Sequence, residues 1–258
     1  MQDLNVCAIQ AALVWEDVAA NLNAFGERIS DIGDSPDLII LPEMFTTGFS
    51  MNSSTLAEKM NGKSISWMAE QASSTNAVIT GSLIIEENGN YYNRLIWMRP
   101  DGTFSHYDKR HLFRMMQEDQ SYAAGKKKLF VNLHGWAICP LICYDLRFPV
   151  WSRNRGDYDV LLYVANWPKS RRDAWRTLLQ ARAHENQAYV IGLNRVGMDI
   201  NEVAFAGDSV MIDPKGSEID EAGVEEKTLQ ASLNHLTLQD FRAKFPSALD
   251  ADSFSLEI

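Results

Sequence analysis

Short runs of apolar, β-branched residues recur along the chain. Segments with an apolar residue at every third or fourth position lie between several of them. The runs at 4–10, 37–41, 77–85, 95–99, 136–142, 160–165 and 189–194 predict strands. Helices are predicted at 21–32, where Leu22, Phe25, Ile29 and Ile32 share one face, and at 64–73, through Ile65, Met68, Ala69 and Ala72. A third is predicted at 172–186, through Trp175, Leu178, Leu179, Ala181 and Ala183. Strands alternating with helices predict an α/β protein whose sheet is covered by helices. Glu86-Glu-Asn-Gly-Asn90 and Pro100-Asp-Gly102 read as hairpin connections, which makes the sheet mixed. Linkers, repeats and low-complexity segments are absent from the sequence, so the expectation is one domain over 1–258. The stretch 239–258 has weak periodicity and reads as an extended C-terminal tail or a dimer arm.

Composition narrows the class. With 46% hydrophobic and 22% charged residues, the chain carries enough apolar matter for a large core and is not a disordered sequence. No apolar run approaches the roughly 18 residues of a membrane span. The net charge of −10 argues against nucleic acid and anionic membranes as partners. The short basic runs, Lys126-Lys127-Lys128 and Arg171-Arg172, read as solvated faces. Three cysteines, an odd number, together with an N-terminus lacking a basic start and an apolar stretch, place the protein in the cytoplasm.

In α/β sheets reactive groups gather at the C-terminal ends of strands. Three segments, 37–42, 103–108 and 136–142, run directly into a chemically active side chain: Glu43, Lys109 and Cys143. After Cys143 comes Tyr144-Asp-Leu-Arg-Phe-Pro149, which suggests a tight strand-to-helix elbow of the kind that exposes a nucleophile. The plainer reading is a buried cysteine acting as a small apolar residue. Cys139 and Cys143 are four apart, which is not a Cys-x-x-Cys spacing. With His134 they lack a further ligand pair, so no metal is expected. Cys139 and Cys7 read as packed within strands.

A thiol needs a base to attack near neutral pH. None of the five histidines, His106, His111, His134, His184 and His235, has a telling context. Glu43 sits among Leu41, Pro42, Met44 and Phe45, away from solvent, as a proton acceptor requires. Lys109 supplies positive charge for an oxyanion, or else a salt bridge with Asp108. Glu118 reads either as an acid that holds Lys109 or as a loop carboxylate.

Three segments in order carry a resemblance: Leu-Pro-Glu-Met-Phe-Thr-Thr-Gly at 41–48, Tyr-Asp-Lys-Arg-His-Leu-Phe at 107–113 and Leu-Ile-Cys-Tyr-Asp-Leu-Arg-Phe-Pro at 141–149. Val-Ala-Asn-Trp-Pro at 164–168, Ala-Arg-Ala-His-Glu-Asn at 181–186 and Gly-Leu-Asn-Arg-Val-Gly at 192–197 support it. The chain resembles the carbon–nitrogen hydrolases of the nitrilase superfamily from about residue 4 to 213, and within them the bacterial omega-amidases. The resemblance implies a four-layer α-β-β-α sandwich that dimerises or forms a higher homo-oligomer. It implies Glu43 as general base, Lys109 as oxyanion stabiliser and Cys143 as nucleophile. Glu118 matches a second, positioning glutamate, and the Tyr144 N–H matches a second oxyanion donor. No cofactor is required.

The substrate class so implied is a short dicarboxylate monoamide of the 2-oxoglutaramate or 2-oxosuccinamate type. Its far carboxylate needs a bidentate cation. Arg147, Arg171 and Arg172 are candidates, with Asn166 and Trp167 as further pocket residues. Arg147 could instead pair with an acid such as Asp145. Three alternatives stay open: another hydrolase with the same triad (aliphatic amidase, N-carbamoyl hydrolase or nitrilase), a Cys-His hydrolase using His106 or His111, and a non-catalytic binding protein on the same fold.

Overall fold

The computed structural model describes residues 2–33 and 35–257; Met1, where the N-terminal reading begins, and Ile258, which ends the C-terminal stretch, lie outside them. The first half runs β1 (Leu4–Gln10), α1 (Val18–Ser30), β2 (Leu38–Ile40), α2 (Ser53–Leu56), α3 (Lys63–Thr75), β3 (Val78–Glu87), β4 (Asn90–Met98) and β5 (Phe104–Asp108). The second half runs α4 (Glu118–Ser121), β6 (Val131–Leu133), β7 (Trp136–Ile142), α5 (Pro149–Ser152), β8 (Val160–Ala165), α6 (Arg172–Asn186), β9 (Tyr189–Asn194), β10 (Val196–Met198), β11 (Ala204–Ala206), β12 (Val210–Ile212), β13 (Glu218–Glu221), β14 (Lys227–Leu233) and α7 (His235–Lys244).

Two six-stranded sheets result, ordered β14-β1-β2-β3-β4-β5 and β13-β12-β9-β8-β7-β6. Both are mixed. β1, β2 and β3 are parallel, as are β7, β8 and β9, and the outer neighbours are antiparallel.

Side-chain alternation explains the layering. In β1, Leu4, Val6 and Ala8 face the second sheet, while Cys7 and Ile9 face α1 and α3. β2 repeats this with Leu38 and Ile40 on one side and Ile39 on the other. Leu22, Phe25 and Ile29 of α1 and Ile65, Met68 and Ala72 of α3 fill the outer core of the first sheet. Trp175, Leu179 and Ala183 of α6 cover the outer face of the second sheet. The order is thus helices, sheet, sheet, helix: the four-layer α-β-β-α sandwich with two mixed sheets. Strands buried on both faces carry nearly continuous apolar runs, which is why they stand out in the sequence. No described helix is long and apolar enough to cross a membrane.

Three expectations need correction. The strand expected at 95–99 begins at Asn90, because Asn88 (φ 54°) and Gly89 (φ 78°) close a two-residue turn and leave Glu87 opposite Asn90. The early part of β4 is polar for a reason given below. Five short strands after Asn194 carry no strong apolar run; β14 is recognisable only by Leu229 and Leu233, yet it pairs with all of β1. The stretch 239–258 starts within α7 rather than as an extended tail. Leu238 is the buried residue of α7, so it has little apolar period, and polar contacts hold it: Arg242 bonds Asp159 Oδ1 (2.7 Å), the Gln187 carbonyl (2.9 Å) and the Tyr158 carbonyl (2.9 Å).

At Gly192 of β9, an added Cβ would overlap Leu179 and stand 3.0 Å from Trp175, so the absence of a side chain sets how closely α6 lies on the sheet. Gly192→Ala is expected to lower stability by about 1–3 kcal/mol through overpacking. Denaturant titration against the wild type checks this, and an unchanged midpoint would mean that α6 shifts freely.

Candidate active site

Four strand ends converge. β2 leads through Leu41-Pro42 into Glu43, β5 into Lys109, β7 into Cys143 and β8 into Asn166. Glu43 and Lys109 come from the first sheet, Cys143 and Asn166 from the second. Two backbone kinks aim the site. Met44, next to Glu43, and Cys143 itself both have φ 45°, a left-handed conformation rare for residues with a Cβ. Cys143 opens a 3₁₀ turn, Cys143–Arg147, which forms the elbow expected from the sequence.

Asp145 secures that turn. One carboxylate oxygen accepts from Ile142 N (3.0 Å) and the Tyr107 hydroxyl (2.7 Å); the other accepts from His111 N (3.0 Å) and lies 2.8 Å from His111 Nδ1. Arg147 is therefore not its partner. The Arg147 guanidinium lies over the Trp167 ring at 4.9 Å and makes no ion pair with a described acid. His111 is committed to Asp145 and stacks on Phe148. No histidine lines the cavity that contains Cys143, which removes the support for a Cys-His pair.

Glu43, Lys109 and Glu118 are fully buried. Lys109 Nζ donates to Glu43 Oε1 (2.9 Å) and to both oxygens of Glu118 (2.9 and 3.0 Å). Glu43 Oε1 also accepts from Asn93 Nδ2 (2.8 Å), and Oε2 accepts from Asn166 N (2.7 Å). Glu118 Oε2 accepts from Phe113 N (2.6 Å). Burial alone would push the Lys109 ammonium down, but Glu118, Glu43 and Cys143 outweigh it and hold it well above its usual range. Lys109 is thus a fixed cation. Burial holds Glu118 above the usual carboxylate range, with Lys109 pulling it back.

Burial, followed by the neighbouring Glu43 carboxylate, pushes the Cys143 thiol well above its ordinary value; Lys109 opposes this. At rest the sulfur is a neutral thiol, so a base must take its proton as it attacks. Sγ lies 4.0 Å from the Asn166 carbonyl. Cys139, by contrast, is buried inside β7, pushed up to about 12, and packs as an apolar residue.

A cavity of about 300 Å³ opens over Lys109, Cys143 and Asn166. Phe49, Phe113, Tyr144, Trp167 and Phe205 wall it, and Met115, Arg147 and Arg171 also line it. Arg171 lies over the Phe113 ring at 5.4 Å. Arg172 is not in the cavity: it pairs with Asp208 at 2.6 Å. Asn166 Nδ2 bonds the Glu43 carbonyl (2.6 Å), which ties one sheet to the other. Trp167 is held by Asn194, whose Oδ1 accepts from Trp167 N (2.7 Å).

Sequence reasoning missed Asn93 and Ser82, which back Glu43 from inside β4 and β3. The available signal was a polar residue, Ser82 inside the apolar run of β3 and Asn93 just ahead of that of β4, which marks either a solvent face or a buried partner.

The family model described as carbon–nitrogen hydrolase matches residues 5–243. The chain is 47% identical to "Omega-amidase YafV" of Escherichia coli strain K12, over 99% of this chain and 100% of that protein. It is 34% identical to the "2-oxoglutaramate amidase" of Bacillus subtilis strain 168, over 81% of this chain and 83% of that one. Among solved structures it superimposes with a TM-score of 0.98, at 44% identity and over 100% of both chains, on XC1258 of Xanthomonas campestris, described as a CN-hydrolase superfamily protein with an arsenic adduct in the active site.

Lys109→Met would leave two buried carboxylates facing each other without a cation. Such a change is expected to cost about 3–5 kcal/mol near neutral pH. The folded variant would then hold a proton that the unfolded chain releases. Its deficit against wild type therefore narrows in acid and widens as pH rises through the ordinary carboxylate range. Denaturant titrations of both proteins at about pH 5 and about pH 7.5 check this. A deficit independent of pH would mean that the carboxylates are not its source.

Proposed function

The chain belongs to the carbon–nitrogen hydrolase family, and we propose that it hydrolyses the terminal amide of a short dicarboxylate monoamide, of the 2-oxoglutaramate or 2-oxosuccinamate type, through a thioester on Cys143. The observation that carries this reading is geometric: the buried Cys143 thiol shares a cavity with Lys109 and Asn166, and these two residues, with Asn93, hold the Glu43 carboxylate.

In the proposed reaction Glu43 takes the thiol proton as Sγ attacks the amide carbon. The carbonyl electrons move to oxygen, where Lys109 Nζ and the Tyr144 N–H receive the charge. Lys109 Nζ has three N–H bonds and meets Glu43 once and Glu118 twice; in the proposed reaction the longer Glu118 contact, at 3.0 Å, gives up its hydrogen to the oxyanion. Collapse of the tetrahedral intermediate breaks the carbon–nitrogen bond, and Glu43 returns its proton so that ammonia leaves. Water then adds to the thioester, with Glu43 again as base, and the carboxylic acid departs as the thiol re-forms. Glu118 acts by holding Lys109.

The distal carboxylate is assigned to Arg147, with Arg171 beside it. Both line the cavity, and both rest on aromatic rings without an acidic partner. The names of the relatives, an omega-amidase and a 2-oxoglutaramate amidase, favour the same class. In this reading the chain is one hydrolase domain that works as a homodimer or higher homo-oligomer.

Ammonia release from 2-oxoglutaramate, glutamine, propionamide, an N-carbamoyl amino acid and a simple nitrile tests the proposal. The expected result is a strong preference for the oxo-acid amide, abolished in Cys143→Ala. Arg147→Ala should lower kcat/KM for that substrate by about 10- to 100-fold and leave propionamide turnover unchanged. Equal rates across the panel would overturn the substrate class, and activity in Cys143→Ala would overturn the mechanism.

A further inference from the structure

Asn93 touches both buried carboxylates at the site and the backbone of Lys109. Its side chain is fully buried on β4. Nδ2 lies 2.8 Å from Glu43 Oε1 and 3.3 Å from Glu118 Oε1, and its backbone carbonyl accepts from Lys109 N at 3.0 Å. One neutral amide therefore stands between two carboxylates.

The orientation of that amide is set from behind. Met44 N donates to Ser82 Oγ at 2.8 Å, so the oxygen of this hydroxyl is an acceptor there and its own hydrogen points elsewhere. The partner of that hydrogen is Asn93 Oδ1, at 2.8 Å. With Oδ1 accepting, both Nδ2 hydrogens are free to face the carboxylates. Ser82 also grips the turn that carries Glu43, because its backbone carbonyl accepts from Phe45 N at 3.2 Å. A one-way chain of donors thus runs from the backbone beside Glu43, through Ser82 and Asn93, to Glu43 itself.

We infer that Asn93, oriented by Ser82, is a positioning residue that selects which oxygen of Glu43 receives the proton. Oε1 is loaded by two donors, Asn93 Nδ2 and Lys109 Nζ. A proton arriving there would have to displace one of them. Oε2 accepts from Asn166 N at 2.7 Å and has only a long contact, 3.5 Å, to Asn166 Nδ2, so it is the more open of the two oxygens to a proton. The proton from the thiol is thereby directed to Oε2. The charged and titratable groups facing Glu43 are Lys109 at the end of β5, Glu118 on α4 and Cys143 at the elbow, with Tyr122 beside Glu118. Asn93 adds no charge to this set, and so can touch both carboxylates without favouring a proton on either.

This inference rests on the proposed role of Glu43 as base, but not on the identity of the substrate. Its test therefore reads the thiol directly. The rate of Cys143 alkylation by iodoacetamide, followed by intact mass as a function of pH, is compared in wild type, Asn93→Ala and Ser82→Ala, with Glu43→Gln as the control for the base. Removing the Asn93 donor from Oε1 makes the carboxylate hold its proton to higher pH. The acid limb in Asn93→Ala should move up by about one pH unit. Ser82→Ala retains the amide but frees it to turn, and should move the limb in the same direction by less. It also decides the matter if Asn93→Ala fails to fold. Glu43→Gln should lose the limb altogether. Limbs that coincide with wild type in both variants, with only a uniform change in rate, would reduce Asn93 to a packing residue and overturn the inference. A limb that survives in Glu43→Gln would instead overturn Glu43 as the base, a separate failure.

Discussion

Everything at this site depends on one ammonium group shared by two buried carboxylates. An uncompensated charge in a dry interior is costly, and here Glu43 and Glu118 together outnumber Lys109. The remaining negative charge is met by neutral donors: Asn93 on Oε1 of Glu43, Asn166 N on its Oε2, and Phe113 N on Glu118. Each donor comes from a different segment. The cluster thereby fixes β4, the end of β8 and the loop after β5 relative to one another. The arrangement also divides the labour. Lys109 stays charged because two acids surround it, and the thiol stays protonated because those acids and its burial oppose a second negative charge.

The rest of the elbow is built to tolerate strain. A non-glycine residue at φ 45° is unfavourable, and the site has two of them, Met44 and Cys143. Neighbouring hydrogen bonds hold each in place. Ser82 receives Met44 N, and Asp145 spans from Ile142 N to the Tyr107 hydroxyl and His111. Asp145 thus braces the Cys143 turn although it stands outside the cavity, and Trp151 extends the bracket by donating to the Tyr107 hydroxyl at 3.0 Å.

Much of the architecture was legible because the central strands are buried on both sides. β1, β7, β8 and β9 match their predicted limits, since strands lying between a sheet and a helix are apolar over most of their length. Edge elements were less legible. β13 and β14 face solvent in part, so their sequences look like loops, and α7 is held by Arg242 rather than by an apolar stripe. At the site, Glu43, Lys109 and Cys143 were conspicuous as reactive side chains at strand ends. Asn93 was not, because one asparagine inside a strand looks like any solvent-facing residue until its partners are known. The arginines illustrate another limit. Arg171 and Arg172 are adjacent in sequence, but where the chain enters α6 one turns to the cavity and the next to Asp208. Only the helical phase separates them.

The origin of the groups in two different sheets has a consequence for the folding chain. Glu43 and Asn166 are 123 positions apart, and the hydrogen bonds between them, the shorter two at 2.7 and 2.6 Å, exist only once the sheets have closed on each other. The first sheet carries Glu43 and Lys109; the second carries Cys143 but neither of these charged neighbours. In the proposed mechanism a half-assembled chain therefore lacks a base beside the thiol, and recovery of catalysis during refolding reports the closing of the two sheets rather than secondary structure.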